Sequence, residues 1–149
     1  MTIALLLGLA TPTLSQPSNQ REIPFENSRV FGLVLVKVEV NGRPAVLIVD
    51  TGASQTIISS ELGDMRPSPL ESAVSTSKGS GWSGTGVFAT ATLRVGPIRW
   101  RNHRVLVMDT RDLSKSFGQK IDGLLGIDFF NEFEVVVVNL KNHKLILEP

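Results

Sequence analysis

Apolar and polar positions along this chain alternate in short runs broken by Gly, Pro and Asn, and the pattern predicts strands. Val36, Val38 and Val40 alternate with Lys37 and Glu39, a period of two that marks a half-buried strand within residues 30–40. Asn41-Gly42 follows as a hairpin turn signal. Residues 45–49, Ala-Val-Leu-Ile-Val, are apolar throughout and predict a strand buried on both faces. Thr56-Ile57-Ile58 starts another short strand, and residues 59–65 fit a helical turn. Residues 67–81, rich in Ser, Pro and Gly, read as a loop leading into a hairpin whose tip is mobile, with Gly79, Gly81, Gly84 and Gly86 clustered around Trp82. Residues 87–95 and 98–108 predict two strands joined at Gly96-Pro97, and residues 110–120 a polar loop. Residues 121–133 hold the apolar centre Leu124-Leu125-Gly126 and then a short helix through Phe129 and Phe130. Residues 135–138 and 145–147 close the chain as a hairpin turning at Lys141-Asn142-His143. Many short strands with turn signals between them predict a mostly-β domain.

The N-terminal end reads differently. Residues 3–10, Ile-Ala-Leu-Leu-Leu-Gly-Leu-Ala, fall short of the ~20 apolar residues that span a bilayer. They fit residues 1–15 as a signal peptide or short anchor, with Thr13 and Ser15 as small residues before a cut, although no positive charge precedes the run. Residues 16–28, polar and carrying Pro17 and Pro24, read as a linker, so the folded unit is expected over residues 29–149. Export to a periplasm or its membrane follows if the apolar run is a signal, and a cytoplasmic location otherwise.

Composition narrows the chemistry. A length of 149 residues suits one domain, and 42% apolar with 19% charged residues excludes a disordered chain. A net charge of +1 argues against a nucleic-acid partner. With no cysteine, the chain can have no disulfide, cysteine nucleophile or thiolate metal site. His103 and His143 have no metal-ligand spacing and read as surface residues. In Arg99-Trp100-Arg101-Asn102-His103-Arg104, strand alternation puts Arg99, Arg101 and His103 on a solvated face and Trp100 beneath. No phosphate-binding Gly loop appears, and Ser54 has no positioned His to make it a nucleophile.

Asp50-Thr51-Gly52-Ala53-Ser54 is the informative segment. A carboxylate at the end of an apolar strand is costly unless hydrogen bonds or function offset it. Gly52 permits a sharp turn, and the Thr51 hydroxyl can tie that turn down. Leu124-Leu125-Gly126 begins seventy-four residues after Asp50, and a glycine-rich hairpin, residues 78–87, lies between.

These elements in this order resemble the retropepsin-like aspartic proteases, single-domain relatives of the retroviral enzymes, and the bacterial members in particular. The resemblance covers residues 29–149 and implies an all-β, closed or partly closed barrel with a flap hairpin and one short helix near the C-terminus. It implies that Asp50 is catalytic, supported by Thr51, Gly52, Ala53 and Ser54. Leu124, Leu125 and Gly126 would pack beneath the loop, and Gly81, Trp82, Ser83 and Gly84 would form the flap over substrate. Ile48, Val87 and Leu124 are candidate pocket side chains.

The chemistry of such an enzyme needs two carboxyls sharing one proton, and no metal or cofactor. This chain offers one such site: Asp64, Asp109, Asp112, Asp122 and Asp128 read as caps, turn or surface residues. The second aspartate is therefore expected from another copy, in a twofold homodimer that hydrolyses an extended polypeptide. By the resemblance, Thr51 would bond across the dimer axis. A shared proton predicts a bell-shaped profile at acidic to near-neutral pH. The alternatives are a peptide-binding module that keeps the fold without cleaving, and a precursor that dimerises only after processing.

Overall fold

A computed structural model describes residues 19–28, 31–63, 66–67, 74–79 and 82–149. Its strands are β1 (Arg21–Pro24), β2 (Glu26–Asn27), β3 (Val34–Val40), β4 (Arg43–Val49), β5 (Ile57–Ser59), β6 (Arg66–Pro67), β7 (Val74–Gly79), β8 (Trp82–Val95), β9 (Ile98–Met108), β10 (Gly123–Leu125), β11 (Val135–Asn139) and β12 (Lys144–Glu148). Two short helices, α1 (Arg111–Phe117) and α2 (Ile127–Phe130), flank β10. The predicted turn after Ser59 is a single 3-10 turn, Ser60–Leu62, capped by the Ser59 hydroxyl.

Six strands close a barrel in the order β3-β4-β10-β5-β9-β8, and β8 returns to β3 through Val38–Val95 and Val40–Leu93. The expected closed, mostly-β architecture is what forms. β4 and β5 are consecutive in the chain but do not pair with each other. β10 fills the gap between them, parallel to β4 and antiparallel to β5. The segment from Asp50 to Thr56 must therefore bridge a gap one strand wide, across the end of β10. That topology alone brings the two sequence motifs together.

A strand in the middle of such a sheet is buried on both faces, and its sequence is apolar at consecutive positions. Leu47, Ile58 and Leu125 point into one hydrophobic cluster, while their neighbours Ile48, Ile57 and Leu124 point into a second. Each fully buried Leu or Ile contributes about 2 kcal/mol, so these six side chains anchor the strands that carry the site.

Several expectations are corrected. The linker over residues 16–28 does not hold from residue 21 onward. β1 pairs with β12, and Ile23 and Phe25 are buried in the main cluster. Pro24 is tolerated because β1 is an edge strand. Residues 111–117 form a helix rather than a loop, so the described residues hold two short α-helices where one was expected. α1 buries Leu113, and Gly118 ends it in the left-handed region at φ 62°. Asp109 accepts the Arg111 backbone N–H at 2.9 Å, and the Arg111 side-chain and backbone hydrogen bonds hold its carboxyl down to about 2. It remains an acceptor in all but strong acid.

β9 is also not a regular strand. Ala91 faces His103 and Leu93 faces Trp100, so Arg101 and Asn102 together oppose Thr92 in a β-bulge, with Asn102 at φ 51°. The extra residue brings Trp100 and His103 to the same side, and their rings stack at 3.2 Å. The expected single face of Arg99, Arg101 and His103 over a buried Trp100 does not form.

Candidate active site

Asp50 sits at the end of β4, partly exposed, and its backbone N–H donates to the Leu125 carbonyl at 3.0 Å. The chain then turns back on itself. The Gly52 N–H donates to Asp50 Oδ1 at 2.9 Å, and the Ala53 N–H to the Asp50 carbonyl at 3.1 Å. The carboxylate is thus fixed by the amide of its own loop. A Cβ on Gly52 would lie 3.1 Å from that same Oδ1, so only glycine leaves the carboxylate in place without adjustment. Thr51 and Ser54 are exposed at the loop surface, and Ala53 packs against the second cluster.

Gly126 lies under this loop. A Cβ there would stand 2.6 Å from the Gln55 carbonyl carbon and 2.9 Å from the Ala53 oxygen, so two backbones meet where no side chain fits. The Ala53 carbonyl accepts the Ile127 N–H at 2.9 Å, which ties the loop to the start of α2. Leu124 and Leu125 are buried on opposite faces of β10.

The far end of the loop is held by residues the sequence left unassigned. The Thr56 hydroxyl accepts the Gly126 N–H at 3.1 Å and donates to Asp128 Oδ1 at 2.8 Å. Asp128 Oδ2 accepts the Thr56 N–H at 2.9 Å and faces His103 Nε2 at 3.2 Å. Asp128 is therefore a clamp on the loop rather than a surface residue. Asp122 is also corrected: it is buried, and its Oδ2 accepts the Val46 N–H at 2.9 Å, with Lys120 Nζ 3.2 Å from Oδ1. It supplies β4 with the acceptor that β10, starting one residue later, does not reach. Asp109, one residue before the N-cap Thr110, accepts the first N–H of α1, and Asp112 lies in the first turn of that helix; Asp64 lies outside the described residues.

β7 and β8 form a hairpin that pairs from Val74–Val87 to Gly79–Trp82, so residues 74–79 are strand rather than the expected loop, and Trp82, Ser83 and Gly84 stand at the start of β8. Gly81 lies outside the described residues. Gly86 serves close packing: a Cβ there would stand 2.5 Å from the Val107 carbonyl oxygen, whereas one on Gly84 would meet only the movable tip of Met108. Val87 is exposed, whereas Ile48 and Leu124 are buried in the second cluster.

His103 is half-buried. Burial pushes its imidazole below the ordinary value, against an upward pull from the Asp128 hydrogen bond and charge and from Glu132. Such a group binds fewer protons folded than unfolded between the two values. Stability is full above about 6.5 and falls as pH drops from there toward the depressed folded value. Thermal melts should show this decline in the wild type, and His103→Gln should flatten it. An unchanged slope would mean that another group dominates.

Chemically, the chain presents a single, partly exposed carboxylate held by its own loop. It can take or give one proton, and nothing in its loop supplies the second carboxyl that a water-activating pair requires.

The aspartyl protease family model matches residues 36–129, a span running from β3 to Phe129 and containing both motifs. No curated protein sequence matches the chain. The fold is similar to that of a retropepsin-like aspartic protease from Rickettsia conorii, with TM-score 0.50, 19% identity, and coverage of 86% of this chain and 90% of that one. It is also similar to part of the aspartic proteinase from Irpex lacteus, with TM-score 0.51 and 21% identity over 60% of this chain and 27% of that one.

Proposed function

The chain belongs to the aspartyl protease family, and from that premise we propose that it cleaves polypeptides as a homodimer in which each protomer contributes one Asp50. The observation that carries this reading is the solitary Asp50, fixed by the Gly52 amide and partly exposed, so that a second copy can meet it. Two such carboxyls in contact share one proton. The ionised one takes a proton from a water as that water attacks the scissile carbonyl carbon. The protonated one donates to the carbonyl oxygen, giving a tetrahedral diol. The diol collapses, the C–N bond breaks, and the leaving amine takes a proton from the pair. Thr51 would brace the two loops across the axis. An extended substrate would lie beneath the β7–β8 hairpin, pairing as an added strand. The apolar run at residues 3–10 supports export of the enzyme from the cytoplasm.

A surface for the second copy supports the same reading. β11 is the outer strand of the sheet β1-β12-β11, and its four valines, Val135 to Val138, are each 36–43% exposed. An apolar edge strand of this kind invites pairing with another chain. Antiparallel pairing of two β11 strands about a twofold axis would make one six-stranded sheet.

Cleavage of an unstructured peptide library, measured over a dilution series with the mass in solution alongside, tests the proposal. The rate per chain should fall on dilution as dimer dissociates, and Val137→Lys should yield inactive monomer. Full activity from a monomer would overturn it, and a dimer that binds peptide without cleaving would identify a binding module instead.

A further inference from the structure

We propose that His103 is a positioning residue for the Asp50 loop, holding its closing end in place through Asp128. The inference rests on the proteolytic reading only for its kinetic consequence.

The loop leaves the sheet at Asp50 and rejoins it at Thr56, whose carbonyl accepts the Leu106 N–H of β9 at 3.0 Å. Both remaining polar groups of Thr56 are committed to Asp128: the N–H to Oδ2 and the hydroxyl to Oδ1. The Asp128 carboxylate also accepts the Phe129 N–H at 3.0 Å. Such a fork holds Thr56 only if the carboxylate keeps its orientation, and His103 Nε2, 3.2 Å from Oδ2, approaches it from β9. An ionised carboxylate has no proton to give, so the imidazole carries its proton on Nε2.

The β9 bulge is the device that makes this contact. On a regular strand, Trp100 and His103, three residues apart, would point to opposite faces. The extra residue turns His103 onto the Trp100 ring, and Trp100 in turn packs edge-on against Phe129 of α2 at 5.2 Å. The imidazole is thereby set in a fixed plane beside the helix that carries Asp128. The charged groups facing it are Asp128 from α2 and Glu132 from the turn beyond, and its partner across the sheet is the uncharged Ala91. Nε2–H donates to Asp128 whether the ring is neutral or protonated, and the half-buried setting favours the neutral ring.

Two variants separate positioning from bulk packing. His103→Phe keeps a ring on Trp100 and removes the donor; His103→Gln keeps a donor and removes the titration. In the full chain, hydrogen exchange at the Thr56 amide should speed up about tenfold in H103F and return toward wild type in H103Q. The wild-type Thr56 amide shift should follow the His103 ring titration with the same midpoint, and in H103Q it should stay flat. With peptide substrate, H103F should lower kcat about tenfold at nearly unchanged KM, because a displaced loop misplaces the reacting group. Unchanged Thr56 exchange in a folded H103F, or an H103Q no better than H103F, overturns the proposal. If the wild type cleaves nothing, the proteolytic reading fails alone, and the exchange data still decide this one.

Discussion

Asp50→Asn should abolish peptide cleavage while leaving the fold and the dimer intact. The amide keeps the shape of the carboxyl, and its Oδ1 can still accept the Gly52 N–H that holds the native carboxylate at 2.9 Å. What it loses is the ability to take a proton from water, and removal of a general base typically costs 10²–10⁴-fold. Here the loss should lie at the upper end, about 10³-fold or more, because both positions of the pair change in one substitution. Melting temperature and sedimentation should match the wild type. Mixing supplies a sharper result. If each active site takes one Asp50 from each protomer, excess D50N should poison the wild type, and the activity per wild-type chain should fall in proportion to the wild-type fraction. Activity per wild-type chain that ignores added D50N would place a complete site within one protomer and overturn the dimer.

The two halves of the site were legible in the sequence because each is local. An apolar strand ending in Asp-Thr-Gly needs a turn at once, and Leu124-Leu125-Gly126 combines a doubly buried strand with a residue that can have no side chain. Their juxtaposition follows from the way β10 fills the gap between β4 and β5. What stayed hidden depends on distant partners. Asp128 reads as one more helix acid until Thr56 is placed against it, seventy-two residues away in sequence. His103 reads as a solvated strand residue until a bulge, marked only by a left-handed Asn102, reverses its face. α1 was missed because a seven-residue helix buries Leu113 as its one fully enclosed side chain, too little for a helical period to show. The available signals were Asp109, which accepts the first N–H of α1, and the C-cap Gly118. β1 was missed because prolines and charges surround Ile23 and Phe25, and only the pairing with β12 reveals that both are core residues.

Gly123→Ala should prevent folding altogether. Gly123 opens β10 at φ +153°, a conformation that L side chains rarely adopt, and a Cβ there would coincide with the Ile57 carbonyl oxygen of β5. Neither neighbour can yield. Gly123 is in register with Leu47 on one side and Ile58 on the other, and the chain just before it is fastened by Asp122, whose N–H donates to the Val46 carbonyl at 2.8 Å and whose carbonyl accepts the Ser59 N–H at 2.7 Å. Relief requires β10 to leave its slot, which exposes Leu124 and Leu125 and removes the floor of the Asp50 loop. A penalty above about 4 kcal/mol is expected, a large share of the 5–15 kcal/mol that holds a domain of this size together. Gly118→Ala is the matched control. It too has a positive φ, +62°, but nothing lies within 4 Å of its Cβ position, so only the left-handed backbone cost of about 1 kcal/mol should appear. Denaturant melts should therefore separate the two variants, with G118A folded, active and about 1 kcal/mol below wild type and G123A lacking a cooperative transition. Equal, mild losses would mean that β10 can shift without disturbing β5, and that the close packing beneath Asp50 does not hold the site.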